Sequence, residues 1–257
     1  MNILAIGDVV GSKGCNFLRS KLPSLKKEKN IDIVIANGEN SADGNGITPA
    51  SMNHLFTSGV DVITTGNHAF RRKEVYPHFE DNYNLIRPAN YPNGTTPGNG
   101  FCVLDMGKVQ VCIINMLGTV YMESLDCPFN TVDKILKQNE HCSIKILDFH
   151  AEATAEKRAM GFYLDGKVSA IFGTHTHVQT ADETILNNGT GYITDVGMTG
   201  VIDSVLGVKP EISIQKMKNK LPVRFDLADG DCCMDCILFN IDTSTGQTLS
   251  VDRMKII

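Results

Sequence analysis

Short apolar runs alternate with polar, glycine-marked breaks along the first hundred residues. Residues 3–6, 31–36 and 60–65 are apolar or alternating and bounded by turn formers, so each predicts a strand. Between the first two, Leu18, Leu22 and Leu25 recur at helical spacing up to the basic stretch Lys26-Lys27-Glu28-Lys29. Thr48 then reads as an N-cap with Pro49 at the first helical position, and Ser58-Gly59 ends that helix. Three strand–helix units in a row predict a sheet with parallel order and one functional edge. Residues 87–100 are rich in proline and glycine and read as a loop at the surface or over a site.

Beyond that loop the pattern changes. Residues 101–105 and 109–115 read as a hairpin turned at Met106-Gly107-Lys108, which switches the chain to antiparallel order. Residues 116–129 read as a loop and 131–140 as a helix. A strand at 144–149, a helix at 153–164 and a strand at 168–172 follow. Residues 184–186, turned at Asn187-Asn188-Gly189, pair with 191–194, and 232–241 pairs with 249–257 in a final hairpin. Neither an internal repeat nor a linker divides the chain, so one domain over 1–257 is expected.

Composition narrows the class. Of 257 residues, 42% are hydrophobic and 21% charged, values of a globular chain with a sizeable core. The net charge of −5 argues against bulk nucleic-acid binding, which needs a basic face, but leaves small anions open. No apolar run reaches the length of a membrane span. Met1 to Asp8 has no basic n-region and meets an acid at once, so no secretory signal is expected. Eight cysteines in that setting predict reduced thiols and a cytoplasmic location.

Candidate chemistry gathers where the strands end. Gly7-Asp8, Gly38-Glu39-Asn40, Gly66-Asn67-His68, His150 and Gly173-Thr174-His175-Thr176-His177 each follow a strand directly. If the chain stays extended through Thr176, His175 and His177 face the same side. Taken alone, that pair reads first as turn histidines bonded to backbone. Yet only seven histidines exist, and four of them stand at strand ends. Carboxylate, amide oxygen and imidazole without thiolate suit Mn²⁺, Fe or Zn²⁺ better than a structural zinc. His54, His78 and His141 fall within or at the end of helical patterns and read as ordinary satisfied or surface residues. Cys233 and Cys236 have metal-ligand spacing but no second pair, within a run that alternates as a strand. Neither a Gly-x-Gly-x-x-Gly loop nor Gly-x-Ser-x-Gly is present.

The order of these motifs resembles the metallophosphoesterase (calcineurin-like) superfamily, which runs Asp-x-His, Gly-Asp, Gly-Asn-His, a lone His and Gly-His-x-His. Val10 stands where that superfamily usually has a histidine, and Glu39 replaces the usual bridging aspartate. Both departures are features of its YmdB-like branch of bacterial phosphodiesterases. The resemblance implies a four-layer αββα sandwich of two mixed sheets flanked by helices. It also implies two divalent transition metals, Fe or Mn with Zn as a third choice, acting on 2′,3′-cyclic nucleotides by in-line attack of a metal-bridging hydroxide. In that picture Glu39 bridges, Asp8 and His177 with Asn40 hold one metal, and Asn67, His150 and His175 hold the other. His68 is then the general acid for the leaving ribose oxygen, or a donor to the charged phosphorane. A wider phosphodiesterase or nucleotide phosphomonoesterase, and a nucleotide sensor without turnover, stay open as alternatives. So does self-association into a homo-oligomer.

Overall fold

Period-two alternation splits β1 (Asn2–Ile6) between two cores, with Ile3 and Ala5 on one face and Leu4 and Ile6 on the other. The computed structural model describes residues 1–257. After β1 come β2 (Asp8–Val9), α1 (Gly11–Glu28), β3 (Ile33–Asn37), α2 (Pro49–Thr57), β4 (Val62–Thr64) and α3 (Tyr76–Asp81). Next are β5 (Phe101–Asp105), β6 (Gln110–Leu117), α4 (Pro128–Gln138), β7 (Ile144–His150), α5 (Thr154–Leu164) and β8 (Ala170–Thr174). The chain finishes with β9 (Thr184–Ile185), β10 (Gly191–Ile193), β11 (Met198–Val201), α6 (Pro210–Asn219), β12 (Cys232–Ile241) and β13 (Thr248–Ile256).

Two mixed sheets result. One has the order β2-β11-β12-β1-β3-β4, with β13 added on β12; the other runs β5-β6-β7-β8-β10-β9. Ile3, Ile33 and Ile35 of the first sheet meet Val111, Ile113, Ile144 and Phe172 of the second, which forms the central core. Leu18, Leu22 and Leu25 of α1 and Leu55 of α2 cover the outer face of the first sheet. Val132 and Ile135 of α4, with Met160 and Leu164 of α5, cover the outer face of the second. The fold is therefore a four-layer αββα sandwich. Central strands buried on both faces explain why the sequence shows continuous apolar runs there.

The parallel pairs β1–β3, β3–β4, β6–β7 and β7–β8 all run their C-terminal ends to one edge. Thr48 caps α2 as its sequence predicts, accepting from the Ser51 amide while Ser51 returns a bond to the Thr48 amide. Three departures from the sequence reading stand out. Met116 and Leu117 belong to β6, because they stay in register with Phe149 and His150 of β7. Residues 195–231 hold β11 and α6, which their sequence had not announced; β11 is four residues long and is fixed by β12 and β2. The third is at His175 and His177. The strand ends at Thr174, and these two residues take φ of +100° and +60° instead of staying extended.

Candidate metal centre

All eight singled-out side chains stand at one edge, where both sheets end. Asp8 opens β2, Glu39 and Asn40 follow β3, and Asn67 and His68 follow β4. His150 is the last residue of β7, and His175 and His177 follow β8. Gly66 has a stereochemical reason to be glycine: a Cβ there would lie 2.4 Å from Glu39 Oε2 and 2.4 Å from His150 Nε2. Its missing side chain is the space those two groups occupy.

Two groups of donors form. In the first, Glu39, His150 and His175 offer ligand atoms all within 4.8 Å of one another, and Asn67 Oδ1 lies 3.0 Å from His150 Nε2. In the second, His177 Nε2 lies 3.5 Å from Asp8 Oδ1 and 3.3 Å from Asn40 Nδ2, a hydrogen-bond donor, while the ligand-type oxygen of Asn40 is turned to His68. Glu39 stands between the groups: its Oε1 is 3.2 Å from both His150 Nε2 and Asn40 Nδ2. The two turn histidines thus serve different groups, because the left-handed backbone at each redirects what an extended strand would have aligned.

The tautomers can be worked out from the neighbours. Thr174 Oγ1 donates to Asp148 Oδ1 at 2.6 Å, so its oxygen accepts from His150 Nδ1–H at 2.9 Å. His175 Nε2–H donates to Glu152 Oε2 at 2.9 Å. In these tautomers the inward nitrogens, His150 Nε2 and His175 Nδ1, face each other 3.0 Å apart. With Glu39 Oε1 and Asn67 Oδ1 beside them, these nitrogens suit a cation, either a proton on His150 or a metal ion, and outer partners of this kind are what orient metal-bound imidazoles. His177 turns Nε2 to the second group, and its Nδ1 is buried without a partner. The donor set fits a divalent metal.

Without metal, protons take that role. Burial pulls His150 down, but the charge of Glu39 outweighs it and pushes the imidazole up to about 9. Burial likewise opposes ionisation of Glu39, yet His150 and His68 hold it well below the usual carboxylate range. Asp8 is lowered against burial by His177, and His177 is raised against burial by Asp8. His175 is lowered by burial and by the neighbouring His150. His68 differs from the rest. Its amide donates to Glu39 Oε2 at 2.9 Å and its Nδ1 meets Asn40 Oδ1 at 3.1 Å, while Nε2 bonds to no protein group.

Several supporting residues escaped the sequence reading. Asp148 is buried at the hub of bonds from Thr174, Thr64 and Asn37, and burial raises it to about 6. It sits two residues before His150 on one strand, so period two could have paired them. Asp195 gave no such signal, because its partners are distant in sequence. Its Oδ2 accepts from the Thr176 amide at 3.1 Å, Thr176 Oγ1 at 2.8 Å and Lys157 Nζ at 2.6 Å. Asp195 and Lys157 are both buried and pin the turn between the two strained histidines, each of which costs roughly 1–3 kcal/mol of backbone strain. Asp195→Asn leaves Lys157 buried without a counter-charge and should destabilise the protein by about 3 kcal/mol. It should also loosen retained metal, because Thr176 loses its anchor. Thermal unfolding beside metal analysis checks this, and a folded variant with wild-type metal affinity would refute the bracing role.

Fold and site define a metallophosphoesterase. The family model described as "YmdB-like protein" matches residues 4–254, and the chain belongs to that family. A curated relative from Bacillus subtilis (strain 168), named 2′,3′-cyclic-nucleotide 2′-phosphodiesterase, is 44% identical over 257 residues, covering 100% of this chain and 97% of its own. A crystal structure of a phosphatase from Mycoplasma pneumoniae superposes with TM-score 0.94 at 33% identity, covering 100% of this chain and 93% of that one. That of a hypothetical protein from Thermus thermophilus gives TM-score 0.93 at 38% identity, covering 99% and 98%.

Proposed function

We propose that this chain is a two-metal phosphodiesterase that opens 2′,3′-cyclic nucleotides to nucleoside 3′-monophosphates. The observation that carries it is the pair of inward imidazole nitrogens 3.0 Å apart beside Glu39, with a second group at Asp8, Asn40 and His177. The B. subtilis relative supplies the substrate class. Glu39, between the groups, would bridge two metals; Asp8, Asn40 and His177 would hold one, and Asn67, His150 and His175 the other. Oxygen and nitrogen donors of this kind suit Fe or Mn. When bound, such a pair supplies the positive charge that acidifies a water and neutralises phosphate oxygens.

The chain's own groups do the rest. Asn40 Oδ1 holds His68 Nδ1–H, which fixes the ring and directs Nε2 away from Glu39. Protonated at Nε2, His68 donates to the ribose 2′-oxygen as the P–O2′ bond breaks and a water oxygen joins phosphorus. The leaving hydroxyl so formed stays on the ribose, and the phosphate stays on O3′. No helix of the chain is long and apolar enough to cross a membrane. We place the work of this single domain in the cytoplasm, on a small nucleotide.

The test is turnover with added Mn²⁺ or Fe²⁺ on 2′,3′-cyclic nucleotides, nucleoside monophosphates and a nitrophenyl phosphodiester. The cyclic nucleotides should lead in kcat/KM. A wide lead for the monophosphates would replace this reading with a phosphomonoesterase.

A further inference from the structure

A cavity of about 500 Å³ lies between the loop at residues 93–100, Phe101 of β5 and the Thr131–Gln138 side of α4. None of the eight side chains of the metal centre lines it. Its wall contains Arg87, whose side chain is almost wholly buried. That guanidinium is underused. Nη1 donates to the Pro88 carbonyl at 2.9 Å, Nη2 reaches Asn93 Oδ1 only at 3.5 Å, and Nε has no partner. No carboxylate comes within ion-pair distance of it. Glu80, the one acid in the lining, has its Oε1 engaged by the Gly98 amide at 3.0 Å. Burial lowers the Arg87 pKa, and Glu80 offsets this only in part. Lys134 of α4 lines the same cavity as a second cation without an ion pair.

A buried guanidinium without a counter-ion is expensive to keep, and its planar fork matches phosphate oxygens. The volume is more than a bare anion fills and lies in the range of sites for organic ligands. Phe101 and Ile135 offer apolar surface for such a body. We propose that this cavity binds a phosphate monoester with an organic body, its phosphate held by Arg87 and Lys134. The site is separate from the metal centre, so a monoester should bind the chain twice.

Equilibrium dialysis of the metal-loaded protein with adenosine 3′-monophosphate should give two sites per chain. Inorganic phosphate should fill the second site more weakly, and uncharged adenosine should not fill it. Lys134→Glu, an exposed change on α4, should weaken the second site by roughly tenfold or more. It should leave turnover of a nitrophenyl diester unchanged. Arg87→Met should abolish the second site; if that variant fails to fold, Lys134→Glu decides alone. The absence of any wild-type site that responds to Lys134→Glu would overturn the proposal, as would equal binding of adenosine. A single site that Lys134→Glu removes would leave it standing and count against monoester binding at the metal centre.

Discussion

Glu39→Gln should cost the centre more than half of its metal and lower turnover in proportion, while leaving the fold in place. Glutamine keeps the volume of glutamate, so the close packing of this buried residue against Gly66 and His150 survives. What disappears is the one negative charge that both donor groups share. Glu39 Oε1 lies 3.2 Å from His150 Nε2 and 3.3 Å from His68 Nδ1, and Oε2 accepts from the His68 amide. Losing an outer partner of a metal ligand already costs roughly 10–100-fold in metal affinity. In the proposed bridging role the loss should be larger, because two cations would lose their common counter-charge. Metal analysis after dialysis should therefore show less than half the wild-type content, with activity falling in proportion. Full metal content in a folded Glu39→Gln variant would remove Glu39 from the bridge.

How far the sequence announces this centre follows from how each residue is held. Asp8, Glu39, Asn67 and His150 leave their strands at the C-terminal ends of parallel units, and glycine or strand periodicity marks each of them. Local pattern was enough for those. His175 and His177 were legible as residues but not as geometry. Their φ values of +100° and +60° follow from long-range bonds: the His175 amide donates to Asp8 Oδ2 at 3.0 Å, and Thr176 is tied to Asp195. Separations of 167 and 19 residues leave no periodic trace in either case. The same holds for β11, whose pairing with β2 and β12 is settled by tertiary contact rather than by its short, glycine-containing sequence. The four-layer order, by contrast, was legible from the motif order, and the alternation of Ile3, Leu4, Ala5 and Ile6 between two cores gives its physical basis.

His68→Ala should fail in a different way from Glu39→Gln, and the difference separates binding from proton transfer. His68 shares its turn with Asn67, but its own ring points Nδ1 at Asn40 and leaves Nε2 without a protein partner. The backbone amide that supports Glu39 is kept in the alanine variant, so both donor groups should stay loaded. Turnover of a cyclic nucleotide should drop by roughly 10²–10⁴-fold, the usual worth of a positioned acid. The ribose oxygen is a poor leaving group and needs that proton. Nitrophenolate leaves as an anion and needs little protonation, so a nitrophenyl diester should lose far less rate. Metal content and the two rates together give a distinct result for each role. A His68→Ala protein that loses metal would make His68 a ligand. One that loses equal rate on both substrates would make it a holder of phosphate charge, with the proton for O2′ coming from water.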